Sequence, residues 1–354
     1  MKFLLTVLLL VSCFSSEAQQ KELAALLKKE NVPGIQLIHT KSKTVTMYSL
    51  GLRQSGRPAT VDARTTFQAA SLGKVVLAYL TLRLHDQGLL DLDKPLLTYY
   101  AYPRLAKEPK ADKITARLVL THATGLPNWA ENPLQASWQT SALHLSYPPD
   151  SCFNYSGEGY VFLQKTLEHL TGKSFEALAQ QEVFQPLRMT NSSFIWQKKF
   201  AANAASGHDA KGQPTTIRHF AQPYGAYSLL TNATDYNRFL QALLTGQGLK
   251  PATARLLQTT ASPANRCRTP AGPADPAIAW AYGVSLAATS YGPALWHWGN
   301  NDDFQGFFMA FPDKQESLLF FTNSANGLKI TEEVLRLFIG PGQYWAIQWL
   351  DAEK

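Results

Sequence analysis

Ser71 and Lys74 stand three residues apart at the head of an apolar run, Val75-Val-Leu-Ala-Tyr-Leu80. In a helix that spacing puts hydroxyl and amine on one face, a turn apart. A lysine at the mouth of a buried helix, facing a serine, is the pairing of an activated nucleophile. Two other stretches offer partners. Phe153-Asn-Tyr-Ser-Gly-Glu-Gly-Tyr160 carries Tyr155 in a glycine-rich loop ahead of a helix, and Trp296-His-Trp-Gly-Asn-Asn301 sets His297 at the end of a late strand. Read singly, each has an ordinary account: a helix start with a snorkelling lysine, a loop aromatic filling a gap, an edge-strand histidine. Their weight lies in occurring together.

The elements that must position them follow from pattern and punctuation. Leu23, Leu26 and Leu27 lie on one face of a short amphipathic helix over 21–30, stopped at Val32-Pro-Gly34. Ile35 to Thr40 and Lys43 to Leu50 read as two strands joined by a tight turn. The Ser71 helix is apolar all round and so is buried; it runs to about His85, with Gly88 as its stop. Further helices are expected from Ile114, over Tyr160–Leu170 and Phe175–Val183 with Ser174 as cap, and over Asp235–Leu244. Past Trp280, four short apolar runs (Tyr282–Leu286, Ala294–Trp298, Gly306–Phe311 and Ser317–Thr322) form an antiparallel meander. A helix over Thr331–Phe338 and a last aromatic segment, Tyr344–Leu350, complete the chain. The expected fold is α+β, an antiparallel sheet flanked by N- and C-terminal helices with a large, mostly helical insertion. It forms one discontinuous domain over 21–345, with the sheet part from about 21–85 and 265–345 and the helical part from about 86–264.

With 354 residues, 45% hydrophobic and 17% charged, the chain can bury a substantial core. The formal charge of +7 is scattered, with no basic run or nucleic-acid signature, so nucleic acid is excluded as a partner. No G-x-S-x-G elbow is present, Leu167 replaces the first glycine a phosphate loop would need before Gly172-Lys-Ser174, and the eight histidines show no metal-ligand spacing. No cofactor or metal is implied. Residues 1–18 read as a signal peptide, with one basic residue, a short apolar core and small residues at Ser16-Glu-Ala18. Leu10-Val-Ser-Cys13 offers a second route, lipid anchoring through Cys13. Either gives an exported protein, periplasmic or extracellular, and no other run is long enough to span a membrane. Cys152 and Cys267 permit a disulfide without implying one.

In this order the segments resemble the serine β-lactamase and penicillin-binding protein superfamily, specifically the class C-like branch that also holds D-alanyl-D-alanine carboxypeptidases and esterases. The resemblance runs from Val32-Pro-Gly34 to the last strands. It is carried by Phe67-Gln-Ala-Ala-Ser-Leu-Gly-Lys74, Gln87-Gly-Leu-Leu-Asp-Leu-Asp-Lys-Pro95, Pro186-Leu-Arg-Met-Thr190 and His297-Trp-Gly299. Most specific of all is Ile114-Thr-Ala-Arg-Leu-Val-Leu-Thr-His-Ala-Thr-Gly-Leu-Pro127.

The resemblance implies a β-lactamase/transpeptidase-like fold and a role for each matching residue. Ser71 is the implied nucleophile, giving an acyl-enzyme. Lys74 helps remove its proton and lowers the pKa of Tyr155, which serves as base toward Ser71 and acid toward the leaving group. His297, with Gly299 as motif support, stands where other branches carry a lysine and is expected to orient substrate and polarise Tyr155. The backbone N–H groups of Ser71 and Asn300 are the implied oxyanion hole. His122, inside the most specific segment, is read as scaffold. One departure stands out: the family's Tyr-x-Asn reads Tyr155-Ser-Gly157 here, and Gly157 has no side chain to hold Lys74 or a substrate amide. The expected activity is an exported serine hydrolase acting on a β-lactam, a D-amino-acid peptide (cell-wall derived or not) or a small ester. The alternative is a catalytically weak member that binds peptidoglycan or a partner.

Overall fold

The computed structural model describes residues 2–267 and 270–352, with side chains from residue 16 onward. The proposed export segment therefore lies largely outside the described side chains, Cys13 included. The chain opens with helix α1 (Lys2–Lys29), then strands β1 (Gly34–Lys41) and β2 (Thr44–Gly51), the two-residue strand β3 (Phe67–Gln68) and helix α2 (Leu72–Asp86). The middle supplies α3 (Ala116–Leu120), α4 (Gly157–Thr171), α5 (Phe175–Ala179), β4 (Leu230–Thr231), α6 (Ala233–Thr245) and α7 (Pro251–Leu256). Strands β5 (Ser262–Pro263), β6 (Ile278–Trp280), β7 (Ser285–Thr289), β8 (Gly292–Asn300), β9 (Gln305–Phe311) and β10 (Glu316–Thr322) follow, then α8 (Thr331–Phe338) and α9 (Trp345–Asp351). Among the described residues no helix is long and apolar enough to cross a membrane.

One antiparallel sheet runs β2-β1-β10-β9-β8-β7-β6-β5, so the two early strands join the late meander at β1–β10. Every residue of β9 and β10 is buried, because both faces of the sheet are covered. Alternation along each strand divides the core in two. Phe307, Met309, Leu318 and Phe320 meet Leu23 and Leu27 of α1, Val334 and Leu335 of α8 and Trp349 of α9. Phe308, Ala310, Leu319 and Phe321 point the other way, into the core built around α2, α4 and α6. From Leu72 to Leu82 every α2 residue is buried, as its all-round apolar sequence requires.

Several details differ from expectation. Tyr344–Leu350, read only as an aromatic segment, is helical over Trp345–Asp351 as α9, with Trp349 in the core. The cap of α6 is Asn232, whose side chain accepts from Asp235 N–H at 2.8 Å, so the helix starts at Ala233, two residues before the expected Asp235. Outer strands β5 and β6 begin ahead of the change in texture at 280; strands of two and three residues leave no periodicity to read. Cys152 and Cys267 are bonded, with Cα atoms 5.3 Å apart. Backbone bonds flank the cystine, Phe153 N–H to Asn265 C=O at 2.8 Å and Cys267 N–H to Phe153 C=O at 3.1 Å, fastening the loop ahead of Tyr155 to the edge of the sheet.

Candidate active site

Ser71 caps α2 from a helical conformation, and its side chain makes no capping bond, which leaves the hydroxyl available. Ala70 before it is held at φ +50°, a region costly for a residue with a side chain. Lys74 Nζ lies 3.1 Å from Ser71 Oγ and donates to the Ala226 carbonyl at 2.8 Å. Gly73 makes the second bond possible: a Cβ there would sit 2.6 Å from the Gly225 carbonyl oxygen, so any side chain would push the 225–226 segment off the helix. Lys74 is only 1% exposed, and burial alone pushes its pKa down to about 7. Near neutral pH its amine is therefore able to hold or release a proton.

Tyr155 reaches the same place from the loop before α4. Its ring stands 5.0 Å from Lys74 Nζ, and it lines a cavity of about 450 Å³ together with Ser71, Trp129, Tyr227, Trp298 and Asn300. The segment read as scaffold is what grips this loop. His122, held at φ +54°, accepts Asn154 N–H on its carbonyl (2.8 Å) and Ser156 N–H on Nδ1 (3.0 Å), which leaves its ring proton on Nε2. Its ring stacks on Tyr155 at 4.2 Å and 25°. Ser156 caps α4 by accepting Gly159 N–H (2.9 Å) and donates to Pro127 C=O (2.8 Å). His122 is fully buried; burial, then the Lys74 charge, holds its pKa well below the ordinary histidine value.

His297, expected to orient substrate and polarise Tyr155, sits in the interior beside the cleft. It is fully buried, its Nδ1 is 2.7 Å from the Trp298 carbonyl, and its ring centroid is 6.4 Å from that of Tyr155. Burial, reinforced by Lys74, pushes its pKa down to about 3, so it is neutral near pH 7. His297 shares the α2 side of the sheet with Leu295 and Phe308, whereas Trp298 lies on the opposite side with Trp296 and Phe307 and lines the cleft, packed on Tyr155 at 5.0 Å. Gly299 lies so close to Ala69 that a Cβ would overlap the Ala69 carbonyl oxygen, and this approach brings exposed Asn300 into the cleft beside Ser71.

Sequence reading missed the aromatic walls, Trp129 and Tyr227, which meet edge-to-face at 5.6 Å, and Arg218, which pairs with buried Asp303 at 3.4 Å at the cleft's edge. Glycine at 157 was the available signal for Trp129, since a missing side chain leaves room for another. Among the described residues no cluster of histidine, cysteine or acidic side chains could hold a metal ion.

The chain is similar to known proteins in sequence and in fold. The family model described as Beta-lactamase matches residues 20–337. Over 341 residues the chain is 24% identical to Penicillin-binding protein 4 of Amycolatopsis lactamdurans, spanning 91% of this chain and 88% of that protein. It is 25% identical over 319 residues to Esterase EstB of Burkholderia gladioli, spanning 76% of this chain and 78% of the esterase. In fold it is similar to the β-lactamase/D-alanine carboxypeptidase from Pseudomonas syringae, with a TM-score of 0.76 over 91% of this chain and 98% of that one, at 17% identity. The folds are thus alike, a β-lactamase/transpeptidase-like sheet with its helical companion. With a match running from within α1 to α8, this chain belongs to the beta-lactamase family.

Proposed function

We propose that the protein is a serine hydrolase that acylates Ser71, with a small ester as its preferred substrate. The observation that carries this is the buried Lys74 amine, 3.1 Å from Ser71 Oγ at the floor of an open cleft and poised to titrate near pH 7. Neutral Lys74 takes the Ser71 proton as Oγ attacks the carbonyl carbon. The electron pair moves to the carbonyl oxygen, toward the backbone N–H groups of Ser71 and Asn300. Tyr155 then gives its proton to the leaving oxygen and regains one from Lys74, and water releases the acid from Ser71 by the same steps in reverse. His122 and His297, both buried and neutral, support Tyr155 from behind rather than touching substrate.

Gly157 favours an ester over a β-lactam, because no side chain there offers a carboxamide to a substrate amide. Hydrolysis of p-nitrophenyl acetate is expected to exceed that of a cephalosporin in kcat/KM by at least about tenfold; equal or faster cephalosporin turnover refutes the ester preference. We also propose export, supported by the composition of residues 1–18 and by the cystine. The central test is intact-mass spectrometry after a fluorophosphonate and a labelled penicillin, on wild type and Ser71→Ala. A covalent adduct in the first protein only is expected. No adduct with any acylating probe would sink the enzyme reading and leave a binding protein of the same fold.

A further inference from the structure

Gly157 and Trp129 compete for one volume. A Cβ at 157 would stand 2.5 Å from Cη2 and 2.9 Å from Cε2 of the indole, nearer than side-chain atoms approach. Trp129 is not able to swing clear, because both its neighbours are tied to the start of α4. The Asn128 carbonyl accepts the N–H groups of Gly157 and Glu158, each at 3.1 Å, and Ala130 N–H donates to the Glu158 carboxylate at 3.1 Å. Glu158 is itself fully buried, gripped by Arg104 at 2.7 Å and by the Trp138 indole N–H at 2.7 Å. Trp138 packs edge-on against Trp129 at 5.8 Å, and Tyr227 does so at 5.6 Å. The indole is a fixed wall.

Two hydrogen-bonding groups against that wall are occupied. Gly157 N–H is taken by the Asn128 carbonyl and side chain, the latter at 3.0 Å, and Tyr227 turns its hydroxyl to the Pro133 carbonyl at 3.4 Å. Beside Ser71 the cleft is lined by aromatic surface from Trp129, Tyr227 and Trp298 and by polar Asn128, Asn132 and Asn300. An aryl group can stack on the indole face, whereas an amide laid on that face gains no hydrogen bond from it.

We propose that Trp129 sets acyl-group specificity at Ser71. By filling the space of a side chain at 157 it puts an aromatic face where a hydrogen-bonding group would stand, and the site selects arylacetyl esters over esters whose acyl group carries an amide. This rests on the acylation of Ser71 proposed above. The acyl carbon passes from the ester oxygen to Ser71 Oγ, the alcohol leaves with a proton, and water then frees the arylacetic acid.

The test compares p-nitrophenyl phenylacetate with p-nitrophenyl N-acetylglycinate, which share a leaving group, each kcat/KM being divided by its uncatalysed rate. Wild type is expected to favour the phenylacetate by about tenfold or more, and Trp129→Ala to bring the ratio within about threefold of unity. Gly157→Asn alone is expected to cost both esters about tenfold through the displaced indole. The double variant, Trp129→Ala with Gly157→Asn, should recover turnover and favour the acetylglycinate; recovery of folding, where the single variant fails to fold, counts equally. An unchanged ratio in Trp129→Ala, or wild-type rates in Gly157→Asn, overturns the proposal. Calorimetry on Ser71→Ala with phenylacetamide and N-acetylglycinamide reads the subsite without chemistry. Tighter phenylacetamide binding there, with neither ester turned over by the parent, would uphold the subsite while the acylation reading fails. No difference between the two ligands there, with ester turnover intact, would do the reverse.

Discussion

At the scale of single residues, the site depends on a lysine denied both water and a counter-ion. Burial depresses the Lys74 pKa from 10.5 to about 7, while in the unfolded chain it keeps the ordinary value. Between those values the unfolded state binds the extra proton, so the Lys74 contribution to stability is full above pH 10.5 and is lost as pH falls through about 7. Activity follows the same titration: kcat/KM for an activated ester should rise with pH through about 7 and level off, a profile measurable between pH 5 and 9. Lys74→Met removes the base and should lower kcat/KM by about 10³-fold or more. It should also stabilise the fold at pH 7 by about 1–3 kcal/mol, since a deprotonation cost of about 4–5 kcal/mol disappears while the Ala226 carbonyl loses its donor. That gain should shrink toward pH 10 in urea titrations. His122 acts one step back. Asparagine tolerates φ +54° and can still accept Ser156 N–H, but brings no ring to stack on Tyr155. His122→Asn is accordingly expected to keep its thermal midpoint within a few degrees, hold KM, and lose about tenfold in kcat. A fall in midpoint with kcat unchanged would mark a purely structural residue.

At the scale of elements, α2 is a helix whose second residue must be glycine, which helices disfavour. Replacing glycine by alanine inside a helix ordinarily gains about 1 kcal/mol. At position 73 the Cβ would meet the Gly225 carbonyl, with Phe194 a further 3.1 Å contact, so overpacking wins. Gly73→Ala is expected to destabilise by about 1–3 kcal/mol and to lose activity as Ala226 is lifted from Lys74, measured by denaturant midpoint and ester turnover. Much at this scale was legible: the Ser71 helix, the Tyr155 loop, β8, β9, β10 and the helix over 331–338 show in spacing and punctuation, whereas the run read as a strand over Tyr282–Leu286 is a strand only from Ser285 on. What faces the cleft was not. The step from His297 to Trp298 is one residue in sequence and a change of sheet face in space, and the motif alone does not say which side chain looks out. The Trp129–Gly157 contact joins residues from two loops, with no periodicity linking them.

At the scale of the whole molecule, the cleft is a seam. Ser71 and Lys74 come from a helix buried between the parts, Tyr155 from the helical side, Trp298 and Asn300 from the sheet, and the sheet itself is closed by pairing β1 with β10 across most of the chain. That closure was legible from the order of helices and strands, because two early strands need partners and only the late meander supplies them. The pairing of Cys152 with Cys267 was not legible, since a separation of 115 residues carries no local signal.

The cystine therefore has a bearing on how the protein matures. Closing a loop of that length stabilises the fold by about 4–5 kcal/mol through the chain entropy it removes. One end of the bond also lies three residues before Tyr155. A chain made where thiols stay reduced would hold the loop of Tyr155, the proposed proton donor, by His122 and the backbone bonds without the covalent tie. If the proposed export and ester turnover hold, newly made protein is expected to be dormant before oxidation: dithiothreitol-treated protein should lose ester turnover before it loses far-ultraviolet dichroism, and regain it on reoxidation. Cys152→Ser paired with Cys267→Ser should stay dormant under both conditions.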